Sequence, residues 1–371
     1  MRIVMFCHSL LSDWNHGNAH FLRGVASELV ARGHRVTIYE PRNGWSLCNL
    51  MKDHGGRTIE RFKARYPQLH ICFYDPPELD VERILKQANL VIVHEWTAPG
   101  VIEAVSRRHR RSARSLLLFH DTHHRSLTDQ EGIGKLRLRG FDGILAFGNA
   151  VRDIYISQGW HTSVWTWHEA ADTRIFRPKT CRREGDLIWI GNWGDEERTE
   201  ELKEFLIKPV RDLNLRAKVY GVRYPQTGID LLKRSGIEYG GYLPNFDAPR
   251  EFARYAATIH VPRRPYVKAL PGIPTIRPFE ALACGIPLVC SPWNDVEGMF
   301  TAGRDYLQAN DASEMKAQLK AVLGSKGLAR RLSRHGRNTI LVRHTCGHRV
   351  DQLFQICRQL GLSLPANTST R

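Results

Sequence analysis

At 371 residues the chain is too long for one ordinary hydrophobic core, so two domains are expected. Its 42% apolar and 25% charged residues are those of a common globular protein. The 54 Lys+Arg against 38 Asp+Glu leave a formal charge of +16, which calls for an anionic partner: a nucleotide diphosphate, an anionic lipid surface or nucleic acid.

In chain order the sequence predicts a strand over Arg2–Cys7, a polar loop His8–Gly17, an amphipathic helix Asn18–Arg32 closed by Gly33, and a strand Arg35–Tyr39. This is a βαβ opening with parallel strands. The run IVMFCHSLL is too short for a membrane span and has no small-residue cleavage site, so the expected location is cytoplasmic. Buried-type strands follow at Asn89–His94, Ser115–His120 and Gly143–Gly148, completing a first Rossmann-like domain over residues 1–165. The pattern restarts with strand Asp186–Gly191, a helix over Glu197–Leu213, and strands Arg216–Gly221, Gly240–Leu243 and Ala257–Pro262, giving a second such domain over 166–345. The fold class is α/β, two Rossmann-like domains whose strand ends face each other across a cleft, joined by the linker His168–Pro178. A C-terminal helix over Thr345–Leu360 and a disordered tail at 365–371 make up residues 346–371.

Eight scattered cysteines, with no CxxC spacing, read as reduced thiols, and Cys284 and Cys290 as structural ones. The basic run Ser106–Ser115 precedes a core strand; it lacks the interleaved aromatics of a nucleic-acid site and reads as a solvated helix face or a contact for an anionic membrane.

The most informative stretch is 263–290. A polar loop with Pro265, Pro271 and Pro274 leads to Thr275 as a helix cap, a helix through Arg277 and Glu280, a stop at Gly285 and an apolar strand ending at Cys290. That order puts a helix start at the carboxyl edge of a sheet, where open α/β folds bind ligands. Free N–H groups with Arg277 one turn inside suit a diphosphate, and Glu280 suits a sugar hydroxyl. Arg263 and Arg264, after a strand on the same edge, suit phosphate oxygens. The cluster His120–His124 also follows a strand; it reads as ligand-lining, as structural hydrogen bonding or as a metal site, with His120 or Asp121 as candidate general base. The first loop lacks the GxGxxG of a dinucleotide site.

Three segments carry a family resemblance. HEAADTRIFRP (168–178) resembles the interdomain segment of GT-B glycosyltransferases of the family-4 type, and PTIRPFEALACGIPLV (274–289) their donor-site helix. The second segment, with FHDTHHRS (119–126), is most similar to the CgeB-like, spore-maturation type of glycosyltransferase. The resemblance implies a GT-B fold and metal-independent transfer of a sugar from a nucleotide-diphosphate sugar, with no other cofactor, to a glycan, lipid-linked or protein acceptor. It also implies donor contacts from Gly17 and Asn18 in the first loop, from Gly191, Asn192 and Arg198 in the second domain's first loop, and from Glu280 on the ribose. His16 and His20 would face the cleft. Arg198 has a plainer alternative, an ion pair with Glu196 or Glu201, Asn18 one as a helix cap, and His20 one as a surface residue. The chain departs from family 4 at Gly272, where the first of two glutamates eight residues apart would stand. Alternatives of the same fold are a nucleotide-sugar 2-epimerase and a non-catalytic interaction platform.

Overall fold

A computed structural model describes residues 1–112 and 115–363, with the backbone alone at 110–112. The chain packs into two units: one takes Met1–Ser12, Leu22–His168 and the chain from Cys346, the other Asp13–Phe21 and Glu169–Thr345.

The first unit holds a parallel sheet of β1 (Arg2–Phe6), β2 (Arg35–Pro41), β3 (His70–Tyr74), β4 (Leu90–His94), β5 (Leu116–Asp121), β6 (Gly143–Ala146) and β7 (Val164–Thr166), in the order β3-β2-β1-β4-β5-β6-β7. Every residue of β4, β5 and β6 is buried, as expected of parallel strands covered on both faces, which is why Leu90–Val93, Leu116–Phe119 and Gly143–Ala146 are apolar throughout. The order reverses between β1 and β4. The helix Cys346–Gln359 belongs to this unit: Trp167 Nε1 donates to Arg349 O at 2.8 Å, and Arg349 Nε donates to His168 O at 2.8 Å.

The second unit holds β8 (Gly185–Ile190), β9 (Ala217–Tyr220), β10 (Ile237–Tyr239), β11 (Tyr255–His260), β12 (Leu288–Cys290) and β13 (Leu307–Gln308), parallel, in the order β10-β9-β8-β11-β12-β13. Its core gathers Leu187, Trp189, Val219, Ile259 and Val289 from the strands with Phe205, Leu232 and Leu319 from the helices. The order reverses between β8 and β11, so the loops after Ile190 and His260 frame the point where such sheets bind ligands.

The α/β class is that expected from the sequence. Three details differ. Gly240–Leu243 is not a strand; β10 lies just before it, and two glycines with no side chains to pack end the ladder. The helix expected over Glu197–Leu213 runs from Thr199 with a π turn at Lys203–Ile207, ahead of Pro209, whose missing N–H removes one i→i−4 bond. Thr275 does not cap its helix through its side chain; it precedes Ile276 with φ 58° and ψ 180°. The basic run lies partly on the helix Pro99–Ser112, and its residues 113–114, like the tail at 365–371, lie outside the described residues. All eight cysteines are unbridged. Among the described residues no helix is long and apolar enough to cross a membrane.

Candidate functional site

A cavity of about 160 Å³ opens in the second unit where its strand order reverses, lined among others by Gly17, Gly191, Asn192, Arg198, Thr275 and Arg277. These six residues, all singled out in the sequence, therefore meet on one surface.

Each is held by backbone logic. The chain leaving β8 passes so close to the chain leaving β9 that a β-carbon on Gly221 would lie 2.1 Å from Gly191 O. Only glycine allows that approach. Asn192 then bridges: its Oδ1 accepts from Val222 N at 2.9 Å and its Nδ2 donates to Asn15 Oδ1. The segment Asp13–Phe21 is fixed to this unit by Asp13, which accepts from Tyr242 OH and from Asn245 N at 2.9 Å, and by Gly17 O, which accepts from Asn245 Nδ2 at 3.1 Å.

Arg198 is the centre of the positive charge. Its Nη1 donates to Val261 O at 2.9 Å and its Nη2 to Asn192 O at 2.6 Å, so it ties together the loops after β11 and β8. The guanidinium lies 5.3 Å over the Trp189 ring, and its buried Nε has no hydrogen-bond partner among the described residues. Burial, then the neighbouring Arg263 and Arg277, push its pKa down to about 9, so it remains charged at neutral pH. Arg263 and Arg277 are paired with Glu197 and Glu280, whereas Arg198 bonds to neutral carbonyls, so its charge is the one that an anion in the cavity would offset.

The helix Ile276–Cys284 starts at the same cavity, with Thr275, Ile276 and Arg277 in its wall, and the N–H groups of a first helical turn have no carbonyl partner within the helix. His260, at the end of β11, lies 3.4 Å from Thr275 Oγ1 through Nε2; burial, then Arg198 and Arg277, push its pKa down to about 3, so it is neutral. Arg277 pairs with Glu280 one turn on, and Glu280 Oε1 accepts from His20 Nδ1 at 2.9 Å. Glu280 and His20 are fully buried side chains.

These positions correct several expectations. Glu280 does not face the cavity: its two oxygens are taken by His20 and Arg277. His20 is not on the surface. Arg198 forms backbone bonds rather than a pair with Glu196 or Glu201. Arg263 donates to Glu197 at 2.8 Å and Arg264 to Glu201 at 3.0 Å, and neither lines the cavity, because acids of the Asp195–Glu201 segment reach them first. Asn18 sits beside the cavity without lining it. His260, Asp13 and Asn245 were not singled out in the sequence; His260 carries a signal, a histidine closing an apolar strand.

His120 and Asp121 lie in the first unit, at the end of β5, both at 0% exposure. His120 packs edge-on against Trp167 at 4.8 Å and His94 at 5.5 Å. Asp121 accepts from Tyr155 OH at 2.8 Å and from His123 N at 2.9 Å. Beside it Glu95 Oε1 accepts from Thr122 N at 3.2 Å. Burial pushes both carboxyls up, Asp121 to about 6, and the charge of Asp121 pushes Glu95 further. Fully buried at the end of β5, neither His120 nor Asp121 presents an atom to a ligand, against the expectation of a general base there.

Residues 198–355 match the sequence family described as Glycosyl transferase-like. No curated protein matches the chain. Among solved structures, sucrose-phosphate synthase from Thermosynechococcus elongatus is 13% identical with TM-score 0.64, covering 97% of this chain and 99% of that one. Anabaena HepE in complex with UDP is 12% identical with TM-score 0.66, covering 97% and 100%. An alpha-glucosyltransferase in complex with UDP is 14% identical with TM-score 0.69, covering 96% and 100%. At these identities the likeness shows the fold, which is GT-B.

Proposed function

We propose that the chain is a glycosyltransferase that moves a sugar from a nucleoside-diphosphate sugar to an acceptor hydroxyl. The observation that carries the reading is the placement of Arg198, Arg277 and the free start of the helix Ile276–Cys284 around one cavity of the second unit. The match of residues 198–355 to a glycosyl transferase-like family supports it. UDP is the first nucleotide to propose, since HepE and the alpha-glucosyltransferase are described in complex with it. The motif Pro274–Ala281 keeps the CgeB-like type as the narrower reading.

In this reading the diphosphate lies against the N–H groups of Ile276 and Arg277 and the two guanidiniums. As the bond from sugar to phosphate breaks, negative charge builds on the leaving diphosphate, and fixed positive groups that need no reorganisation stabilise it. This reading supplies the offsetting charge from arginines and a helix start, and so invokes no metal. Loss of one such group slows comparable reactions by roughly a hundred- to a thousandfold.

The test is melting of the full-length protein against UDP, GDP, TDP, inorganic pyrophosphate and UMP, followed by release of nucleoside diphosphate from the matching sugar donors with a panel of hydroxyl acceptors. A nucleoside diphosphate that raises the melting temperature, with the rise lost in Arg198→Met, supports the reading. If none of the diphosphates shifts the transition, the reading fails.

A further inference from the structure

We infer that His20 is a positioning residue for the anion site: as a neutral imidazole with its proton on Nδ1 it fixes Glu280, and through Glu280 it fixes the guanidinium of Arg277. The inference rests on the reading above, in which Arg277 meets a diphosphate.

The proton placement follows from donors and acceptors. Asp172 N lies 2.8 Å from His20 Nε2, and a backbone N–H can only donate. Nε2 therefore presents its lone pair, and the ring proton sits on Nδ1, 2.9 Å from Glu280 Oε1, where it is donated to the carboxylate. The ring is also locked in orientation by stacking on Phe176, centroids 3.8 Å apart and planes 17° off parallel. A doubly protonated ring would lose the bond from Asp172.

Glu280 is a buried charge with both oxygens assigned, Oε1 to His20 and Oε2 to Arg277 Nη1. A buried carboxylate is tolerable only when paired and hydrogen-bonded. Arg277, by contrast, keeps 14% of its side chain exposed and lines the cavity. The chain of bonds thus runs from the backbone at Asp172 through His20 and Glu280 to the one member that faces a ligand. His20 does not line the cavity, so any effect on ligand binding passes through Arg277. Remove the His20 donor and Oε1 loses its partner, which leaves Arg277 as the sole group satisfying a buried charge and draws its guanidinium inward.

Three substitutions separate the two bonds. His20→Asn can keep a donor where Nδ1 stands, His20→Gln an acceptor where Nε2 stands, and His20→Phe keeps only the stack. For UDP and for inorganic pyrophosphate, His20→Phe and His20→Gln are expected to weaken binding by roughly ten- to a hundredfold, the worth of one hydrogen bond to a charged group, and His20→Asn to restore most of it. In Arg277→Ala, His20→Phe is expected to cost nothing further. A purely structural histidine would give additive losses and no rescue by Asn, and that result overturns the inference while leaving the diphosphate reading intact. Wild-type protein that binds neither probe overturns both. Nitrogen chemical shifts of His20 in the full-length protein give the independent check: a proton on Nε2 rather than Nδ1 also overturns it.

Discussion

The side chain of Glu297 fills the space beside Gly272: a β-carbon on Gly272, whose φ is +85°, would lie 2.6 Å from Glu297 Cγ and 2.8 Å from its Oε1. A side chain at position 272 is thus opposed twice in this chain, by backbone conformation and by a neighbour. Glu297 is a flexible side chain and can yield, whereas the backbone cannot. Gly272→Ala is therefore expected to destabilise by about 1 kcal/mol, mostly from the positive φ. Adding Glu297→Ala should recover only a few tenths of that, roughly the steric share. Denaturant melts of the two single variants and the double variant measure the coupling. Full recovery in the double variant would mean that the clash, not the backbone, keeps glycine there.

Arg198 is held by two backbone carbonyls and opposed by burial and by two other arginines. Deleting it removes two bonds and one repelled charge, effects of opposite sign. Arg198→Met is thus expected to shift the melting temperature of the free protein by less than about 4 °C, the effect of roughly 1 kcal/mol in a protein of this size. The rise produced by a nucleoside diphosphate should vanish in the same variant. An undiminished rise would place the anion elsewhere.

The buried carboxyls of the first unit fix the sign of a pH effect. Glu95 and Asp121 are both raised, Asp121 to about 6, chiefly by burial. An acid raised in the folded state stabilises fully below its unfolded value, about 4, and that contribution is lost as pH climbs through the folded value. These acids therefore contribute a fall in stability between about pH 4 and pH 7, while His8, His120 and His260, which burial pushes down to about 4, 3 and 3, contribute a rise between about pH 3 and pH 6.5, so the acids show in the difference between variant and wild type rather than in the net slope. Glu40, pushed up to about 7 by burial, adds to the same fall. Glu95→Gln keeps an acceptor for Thr122 N and removes one falling contribution, so its stability should drop less, or rise more, across this range than that of wild type. Equal slopes for wild type and variant from pH 4.5 to 8 would refute the assignment.

The strands legible in the sequence are those buried on both faces. Leu90–Val93 and Leu116–Phe119 are continuous apolar runs because both faces of these strands are buried. In the first sheet the strands not anticipated, His70–Tyr74 and Val164–Thr166, form its two edges and are largely half-exposed or exposed, so their sequences carry no such run. The helix after Thr275 was legible from the proline-rich loop before it, from Arg277 and Glu280, and from the Gly285 stop. Its buried partner was not: His20 stands 260 residues from Glu280, and no local pattern joins a histidine in one helix start to a glutamate in another. Likewise Arg263 and Arg198 look alike as loop arginines after strands. What separates them is that Glu197 reaches Arg263, while Arg198 folds onto Asn192 O and Val261 O.

Thr275 tests whether the cavity is strained for a purpose. A β-branched residue at φ 58° and ψ 180° occupies a region that essentially only glycine enters, at a cost of about 1–3 kcal/mol. The return on that conformation is local: it turns the chain so that Ile276 starts the helix at the cavity wall and brings Oγ1 to 3.4 Å from His260 Nε2. Thr275→Gly relieves the strain but frees the unfolded chain, worth about 0.5–1 kcal/mol in the other direction. The net expectation is a protein as stable as wild type or up to about 2 kcal/mol more stable, with weaker binding of nucleoside diphosphate because the helix start is no longer held. Thr275→Ala is the control: it keeps the strain, loses only a long hydrogen bond, and should show no gain in stability. If Thr275→Gly melts lower than Thr275→Ala, the backbone there is not strained in solution, and the threonine is retained for its side chain alone.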